Sequence, residues 1–380
     1  VTVVESVVGA ADVAAAHAED VDREARFPFE AVDALRDARA LSALVPEELG
    51  GGGATLREVA DGCFELGRRC GAAAMVFAMH QIQVASIVRH LGESEWFEEY
   101  LRSVVTEQRL IASATSEVGT GGDLSRSVAF VGRNPDGTCS FEKQAPTVSY
   151  GAEADDLLTT VRRSEDADGG DQVAVLTTRE QTELEQTGTW DPFGMRGTCS
   201  PGFVVRATFA EEQILADFRT IGARTMVPVS HILWSHVWLG IATDAFDRAR
   251  SFVRESARRS PAPGPSPAAV KLSHLMVDLS LLRAEVRDGL DDFLRAEEEG
   301  DEVETMARAL RFNYLKIAAS EQAPRVCQGA MNVCGIVGFK NDTPFSVGRH
   351  LRDSMSAALM VANERIHQTN AALLLVAKDV

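Results

Sequence analysis

LLTTVRRSEDADGGDQVAVLTT, residues 157–178, is the segment that decides the architecture. Leu157–Val161 and Val173–Thr178 are short runs rich in β-branched residues, a strand composition. Between them Arg163–Asp171 is acidic and contains glycine, so it reads as a solvated loop. Two similar runs, Val128–Val131 and Phe203–Phe209, flank the segment, and Asp136-Gly137 is a hairpin-turn signal. Together they predict a compact antiparallel β domain over residues 111–217.

Outward from this domain the spacing turns helical on both sides. On the N-terminal side, Val1–Glu24 reads as an amphipathic helix. A short helix over Ala31, Leu35 and Leu41 ends at Val45-Pro46. Leu56–Leu66 resumes helical spacing, and Ala72–Leu91 is apolar enough to be a buried helix. On the C-terminal side, Trp234–Arg259 is one long helix and the Pro-rich run 261–267 breaks it. Leu272, Leu275, Leu279, Leu282, Val286, Leu290 and Phe293 then recur at spacings of three and four, a bundle seam. Further helices are expected around Thr305–Ser320 and Asp353–Leu375. The predicted class is α+β, mostly α: an N-terminal helical domain (1–110), a middle antiparallel β domain (111–217) and a C-terminal four-helix bundle (218–380).

Composition narrows the function. The chain has 380 residues, 45% hydrophobic and 25% charged, the balance of an ordinary globular protein. A net charge of −18 argues against a nucleic-acid or anionic-membrane surface, which needs a basic patch. The six cysteines form no C-x-x-C pair and have no His cluster beside them, so no structural metal is expected. Scattered free thiols and an N-terminus interrupted by Glu5, Asp12, Glu19 and Asp20, a poor signal peptide, lead us to expect a cytoplasmic protein.

Five local patterns then occur in order. They are Val45-Pro-Glu-Glu-Leu-Gly-Gly-Gly-Gly53, Ser116-Glu117 followed by Gly121-Gly122-Asp123, Phe193-Gly-Met-Arg-Gly-Thr198, Asn332-Val-Cys-Gly-Ile-Val-Gly-Phe339, and Arg352-Asp353. In that order and spacing the chain resembles the acyl-CoA dehydrogenase superfamily over nearly its whole length. The resemblance implies FAD. Ser116 would lie over the pyrimidine side of the flavin ring, and Ser149 would hydrogen-bond flavin N5. Arg259 would hold the pyrophosphate, often from a neighbouring subunit, since its planar fork matches phosphate oxygens. Asn332 stands where the family has Gln, and Gly335 and Gly338 would approach the same diphosphate. A homodimer or homotetramer is implied. No strand precedes Gly335, so this turn is not a dinucleotide-binding fingerprint.

Three departures bear on the chemistry. The family's catalytic Glu follows its Arg-Asp pair, and that position is Val361 here. The alternative base position on an earlier helix falls at Leu233, also apolar. The Trp that flanks the flavin becomes Thr147. Two residues are candidates to replace the base. Glu364 lies three residues past Val361. His80 lies on the apolar helix that by resemblance floors the pocket, in a stretch where monooxygenases of this fold (on dibenzothiophene, or on amino sugars) carry a His. His231 and His236 flank Leu233 and rank lower; His350 and His367 read as structural, and Met195, Trp190 and Trp238 as core.

Three functions fit. One is an FAD-dependent oxidation of an acyl thioester (CoA or carrier protein) or related small molecule with a non-standard base. The second is a flavin monooxygenase of the same fold, which needs no α-proton base. The third is a non-catalytic subunit of a hetero-oligomeric dehydrogenase.

Overall fold

Helices, sheets and helices follow one another in a computed structural model of the chain, which describes residues 3–377 apart from 122, 261, 262 and 301–304. Val1, Gly122 and Pro261, parts of three of the sequence expectations, lie outside the described residues. Helix α1 (Val3–Glu24) and α2 (Phe29–Asp37) come first, then α3 (Leu56–Gly67), α4 (Gly71–His90) and α5 (Glu95–Glu107). Thr55 opens α3 with a full capping box: its hydroxyl accepts from Glu58 N–H, and Glu58 accepts from Thr55 N–H. Helix α4 is buried along most of its length. It is 20 residues long with a mean hydropathy of 1.4, and 89% of that apolar window is buried in the protein, as a core helix requires. Helix α5, whose N-cap is Ser94, is absent from the sequence reading.

The middle third holds β1 (Ile111–Ala114), β2 (Gly132–Arg133), β3 (Cys139–Ala145), β4 (Asp156–Arg162), β5 (Gln172–Thr178), β6 (Thr182–Gln186), β7 (Phe203–Phe209) and β8 (Ile214–Asp217). They form two four-stranded sheets, ordered β1-β4-β5-β8 and β2-β3-β7-β6. All pairings are antiparallel except β1 with β4, which is parallel. The 157–178 segment is the β4–β5 hairpin, with Leu157 opposite Thr177 and Val161 opposite Val173. Val128–Val131 is not a strand. Its backbone meets β4 at a parallel bridge from Phe130 to Arg162, and the Arg162 side chain donates to Val128 O. The expected turn at Asp136-Gly137 joins β2 to β3, with Gly137 at a φ of 89°, where glycine is least strained.

Short α6 (Phe218–Ile221) and a π turn lead into α7 (Val227–Arg259), which starts seven residues earlier than the sequence indicates. Helix α8 (Pro267–Glu299) carries the expected seam: Leu275, Leu279, Leu282, Val286, Leu290 and Phe293 are all buried. Helix α9 (Met306–Cys334) runs 14 residues past the expected end at Ser320. Its Pro324 does not end it. Close packing of α8 on α9 is set by glycines, since a Cβ on Gly289 would strike Leu315 and one on Gly329 would strike Leu275. Helix α10 (Ile336–Phe339) is a single turn. The last expected helix is broken. α11 (Gly348–Met355) stops, residues 356–362 form turns, and α12 (Asn363–Leu374) restarts. That break falls on Val361, whose φ is 46°. Helices α7, α8 and α9 form three sides of the bundle, and α11 with α12 closes it.

Candidate functional site

The site assembles from four segments, three of which carry left-handed backbone. Among the described residues seven non-glycines adopt the left-handed backbone, and four of them, Tyr150, Met195, Cys199 and Val361, lie on these segments. Such strain costs on the order of 1–3 kcal/mol each and survives only where surrounding contacts enforce it.

The first segment is Thr115–Glu117, at the end of β1. Ser116 Oγ donates to the carbonyl of Thr147 (3.0 Å) and lies 3.3 Å from Thr147 Oγ1. The second is Pro146–Gly151, after β3. Val148 N–H donates to Pro201 O and Tyr150 N–H to Thr198 O, which locks this segment to the third. The Tyr150 hydroxyl donates to Ile111 O, anchoring it to β1 as well. The third is Gly194–Ser200. Here Ser200 Oγ donates to Ser149 Oγ at 2.9 Å, and Thr198 Oγ1 lies 3.0 Å from Ser200 Oγ. With Ser200 as donor, Ser149 keeps its own O–H for an outside acceptor. The sequence reading passed over Ser200, Thr198 and the hydroxyl of Thr147. Two Ser/Thr at alternate positions, 198 and 200, facing Ser149 would have been the signal.

The fourth segment is Arg352–Asn363. Gly194 must be glycine, because a Cβ would run into the Arg352 carbonyl. Asp353 Oδ1 accepts from Met195 N–H at 2.7 Å, and Arg352 pairs with Asp22. Burial pushes the Asp353 carboxyl up to about 6 against the pull of Arg349. Further along, buried Lys316 of α9 donates to Val361 O (3.0 Å) and Asn363 Oδ1 (2.7 Å), which supports the left-handed Val361. Desolvation brings that ammonium down to about 8.

The other candidates fall in three places. His80 is fully buried, Nε2 donates to Leu41 O (2.7 Å), and Nδ1 accepts from Ile111 N–H (3.0 Å). Both nitrogens are consumed, so His80 is a core residue tying β1 to the helical domain and not a base. Glu364 is exposed in the first turn of α12. Because residues 356–362 are not helical, the helical offset from Val361 that favoured it does not apply. Leu233 is fully buried. His231 (Nδ1 to Phe312 O, 3.0 Å) and His236 (Nδ1 to Ile232 O, 2.8 Å) are held within the bundle. Arg259 is largely exposed and, among the described residues, pairs with Glu255. Asn332 and Gly335 are exposed, whereas Gly338 is buried and a Cβ there would lie 2.5 Å from that of Cys334. Helices α7 and α9 run parallel, since His231 meets Phe312 near their starts and Arg248 reaches Ser346 beyond α9. Arg259 and the Gly335 turn therefore stand at the same end of the bundle.

Four buried histidines are held neutral by desolvation: His80, His236 and His350 down to about 4, and His231 to about 3. Their unfolded value is near 6.5. Between about 4 and 6.5 the unfolded chain therefore binds more protons, so stability is full above 6.5 and falls as pH falls through this window. Asp353 has the opposite sign below about 6, and the Asp61, Glu153 and Asp156 carboxyls, also raised by burial, act with it; the four rings, each brought down to about 4 or below, are expected to outweigh them at pH 5. We expect the urea midpoint to drop from pH 7 to pH 5; an unchanged midpoint contradicts neutral burial of these rings.

Models of the N-terminal and C-terminal domains of acyl-CoA dehydrogenases match residues 5–108 and 232–364. The chain belongs to the acyl-CoA dehydrogenase superfamily, and it is a flavin-dependent oxidoreductase of that type. Its relatives divide in chemistry. It is 24% identical over 356 residues to a probable FMNH2-dependent monooxygenase, SfnC, of Pseudomonas putida (88% of this chain, 85% of that one). It is 23% identical over 345 residues to a probable acyl-CoA dehydrogenase, YngJ, of Bacillus subtilis (90% and 88%). The fold matches that of FMN-bound TdsC from Paenibacillus sp. A11-2 with a TM-score of 0.85, at 19% identity over 98% of this chain and 97% of that one. The donor set fits a flavin: the Ser116 and Thr147 hydroxyls lie 3.3 Å apart, and Ser149, two residues past Thr147, keeps an O–H free beside Ser200, hydroxyls suited to the acceptors of an isoalloxazine edge.

Proposed function

We propose that this chain is a flavin monooxygenase, whose bound flavin, once reduced, would supply electrons to dioxygen beside a small-molecule substrate. The observation that carries the proposal is the base position. Val361 stands there in a left-handed turn, Leu233 is apolar, and His80 is fully engaged. Among the described residues, neither position that the family uses for its base carries a carboxylate. The resemblance to SfnC and TdsC supports the reading. Bound flavin supplies the two-electron chemistry. The chain's own part is to present Ser149 O–H toward N5, with Ser200 feeding it, and Ser116 toward the pyrimidine side. Anaerobic photoreduction, followed by separate mixing with O₂ and with a saturated acyl-CoA, tests it.

FAD is the flavin we propose, on Arg259 and the Gly335–Gly338 turn sharing one end of the bundle; SfnC and TdsC, named for FMNH2 and FMN, make the two-flavin comparison necessary. A homodimer or homotetramer belongs to the same reading. Val270, Val277 and Leu281 are 46%, 58% and 60% exposed along one face of α8, and Ile336 and Phe339 stand exposed beside the glycine turn. Sedimentation as a monomer at micromolar concentration would remove the oligomer and any role for Arg259 across an interface. A cytoplasmic location is proposed on the six free cysteines.

A further inference from the structure

Strands β1 and β4 run side by side only as far as Ala114 and Thr159. Three residues on, Arg162 of β4 pairs instead with the chain around Phe130: Arg162 N–H donates to Ala129 O and Val131 N–H to Arg162 O. Between these points the backbone leaves the sheet at Thr115 and returns near Val128. Ser116 is the first side chain on that excursion, and Thr115 and Thr160 mark the fork.

A charged pair fills the fork. Lys143 comes from β3 in the other sheet, and its side chain is fully buried. Its Nζ donates to Thr160 O (2.6 Å) and Thr160 Oγ1 (3.1 Å), reaches Thr115 O at 3.5 Å, and lies 3.7 Å from Glu117 Oε2. Glu117 is itself buried, and its carboxylate accepts from Ser127 Oγ (2.6 Å), Val128 N–H (3.1 Å) and Ala129 N–H (2.6 Å). The ammonium thus holds the outgoing limb and the carboxylate holds the returning one. Val118 N–H also donates to Gln144 O, beside Lys143. A buried ion pair is poor value for stability alone, because desolvating two charges offsets most of their attraction. Its place at the root of the loop gives it another use.

We propose that Lys143, through Glu117, is a positioning residue for the flavin: the pair sets where Ser116 stands against Thr147 and hence against the ring. The inference rests on the flavin reading above and adds to it a residue that never touches the cofactor. It predicts coupling. Lys143→Met leaves the Glu117 charge alone, so the Lys143→Met/Glu117→Gln double variant, which removes both charges, is the primary test, with Lys143→Arg as the conservative control.

The experiment titrates purified wild type and variants with FMN and with FAD, following fluorescence and the visible absorption band. Circular dichroism and thermal midpoint check that each variant is folded. We expect the double variant to fold, to bind the preferred flavin at least ~10-fold more weakly, and to shift the visible band, with Lys143→Arg recovering part of both. Ser116→Ala should weaken wild-type binding but change little in the double-variant background, since the loop there no longer presents the hydroxyl. Should the double variant not fold, Glu117→Gln alone carries the same two readouts. Unchanged affinity and spectrum, or a Ser116→Ala effect that adds independently, overturns the inference and leaves the flavin reading standing. A wild type that binds neither flavin overturns both.

Discussion

Mixed anaerobically with a saturated acyl-CoA, the oxidised protein is expected to keep its flavin colour, whereas the photoreduced protein mixed with O₂ should reoxidise promptly. Removing an α-proton from an acyl thioester needs a placed base, and general-base catalysis contributes roughly 10²–10⁴-fold. Against a typical turnover of about 10 per second, loss of the base should bring bleaching to ~0.1 per second or less. Val361→Glu tests the reasoning from the other side. It should gain some bleaching by acyl-CoA if the pocket admits the thioester. Glutamate there would sit close to the Lys316 ammonium that binds the 361 carbonyl, which lowers the cost of the new charge. Bleaching of the wild type at ordinary rates would refute the placement of the base at 361. Glu364 would then be the residue to replace first.

Arg259→Ala should weaken FAD binding by about 10- to 150-fold, the equivalent of ~1.5–3 kcal/mol for one charge-assisted phosphate contact. FMN lacks the pyrophosphate and should bind the variant as it binds the wild type. The exposed side chain can swing to a ligand, since its partner among the described residues, Glu255, is on the same helix four residues earlier. Equal losses for both flavins would place Arg259 in the bundle's general stability. No loss for either would remove it from the site and favour the shorter flavin.

The long elements were legible because their patterns are long. The α8 seam repeats over six buried positions, and α4 is buried along nearly its whole length. The β4–β5 hairpin also followed from local composition. What failed depends on tertiary contact. Val128–Val131 has strand composition, but it follows the loop held by Glu117 and pairs with the β4 backbone as an isolated bridge rather than a ladder. The stretch 353–375 has helical spacing, yet Lys316 on another helix supports the break at Val361. His80 looked reactive because a histidine on an apolar helix gives no sign of its partners, and these lie 39 and 31 residues away. Lys143 was visible in principle. It alternates with Cys139, Phe141 and Ala145 on the buried face of β3, and a lysine in that register is a signal the reading missed. Ser116 and Ser149 came from motif order, and the hydroxyls of Thr147 and Ser200 that orient them could be seen only once the segments were folded together.

Helix α4 also sets a timing problem for synthesis. It is greasy enough to pass for a bilayer anchor, and one of its main neighbours, α7, begins about 140 residues later, beyond the whole β domain. At roughly 5–20 residues per second, a ribosome takes about 7 to 30 s to deliver that neighbour. For that interval the nascent chain carries an uncovered hydrophobic rod, against a collapse time of microseconds. Holding chaperones, or early capture by α3, must bridge the gap, and overproduction that outruns them should send this protein into inclusion bodies before its active site has formed.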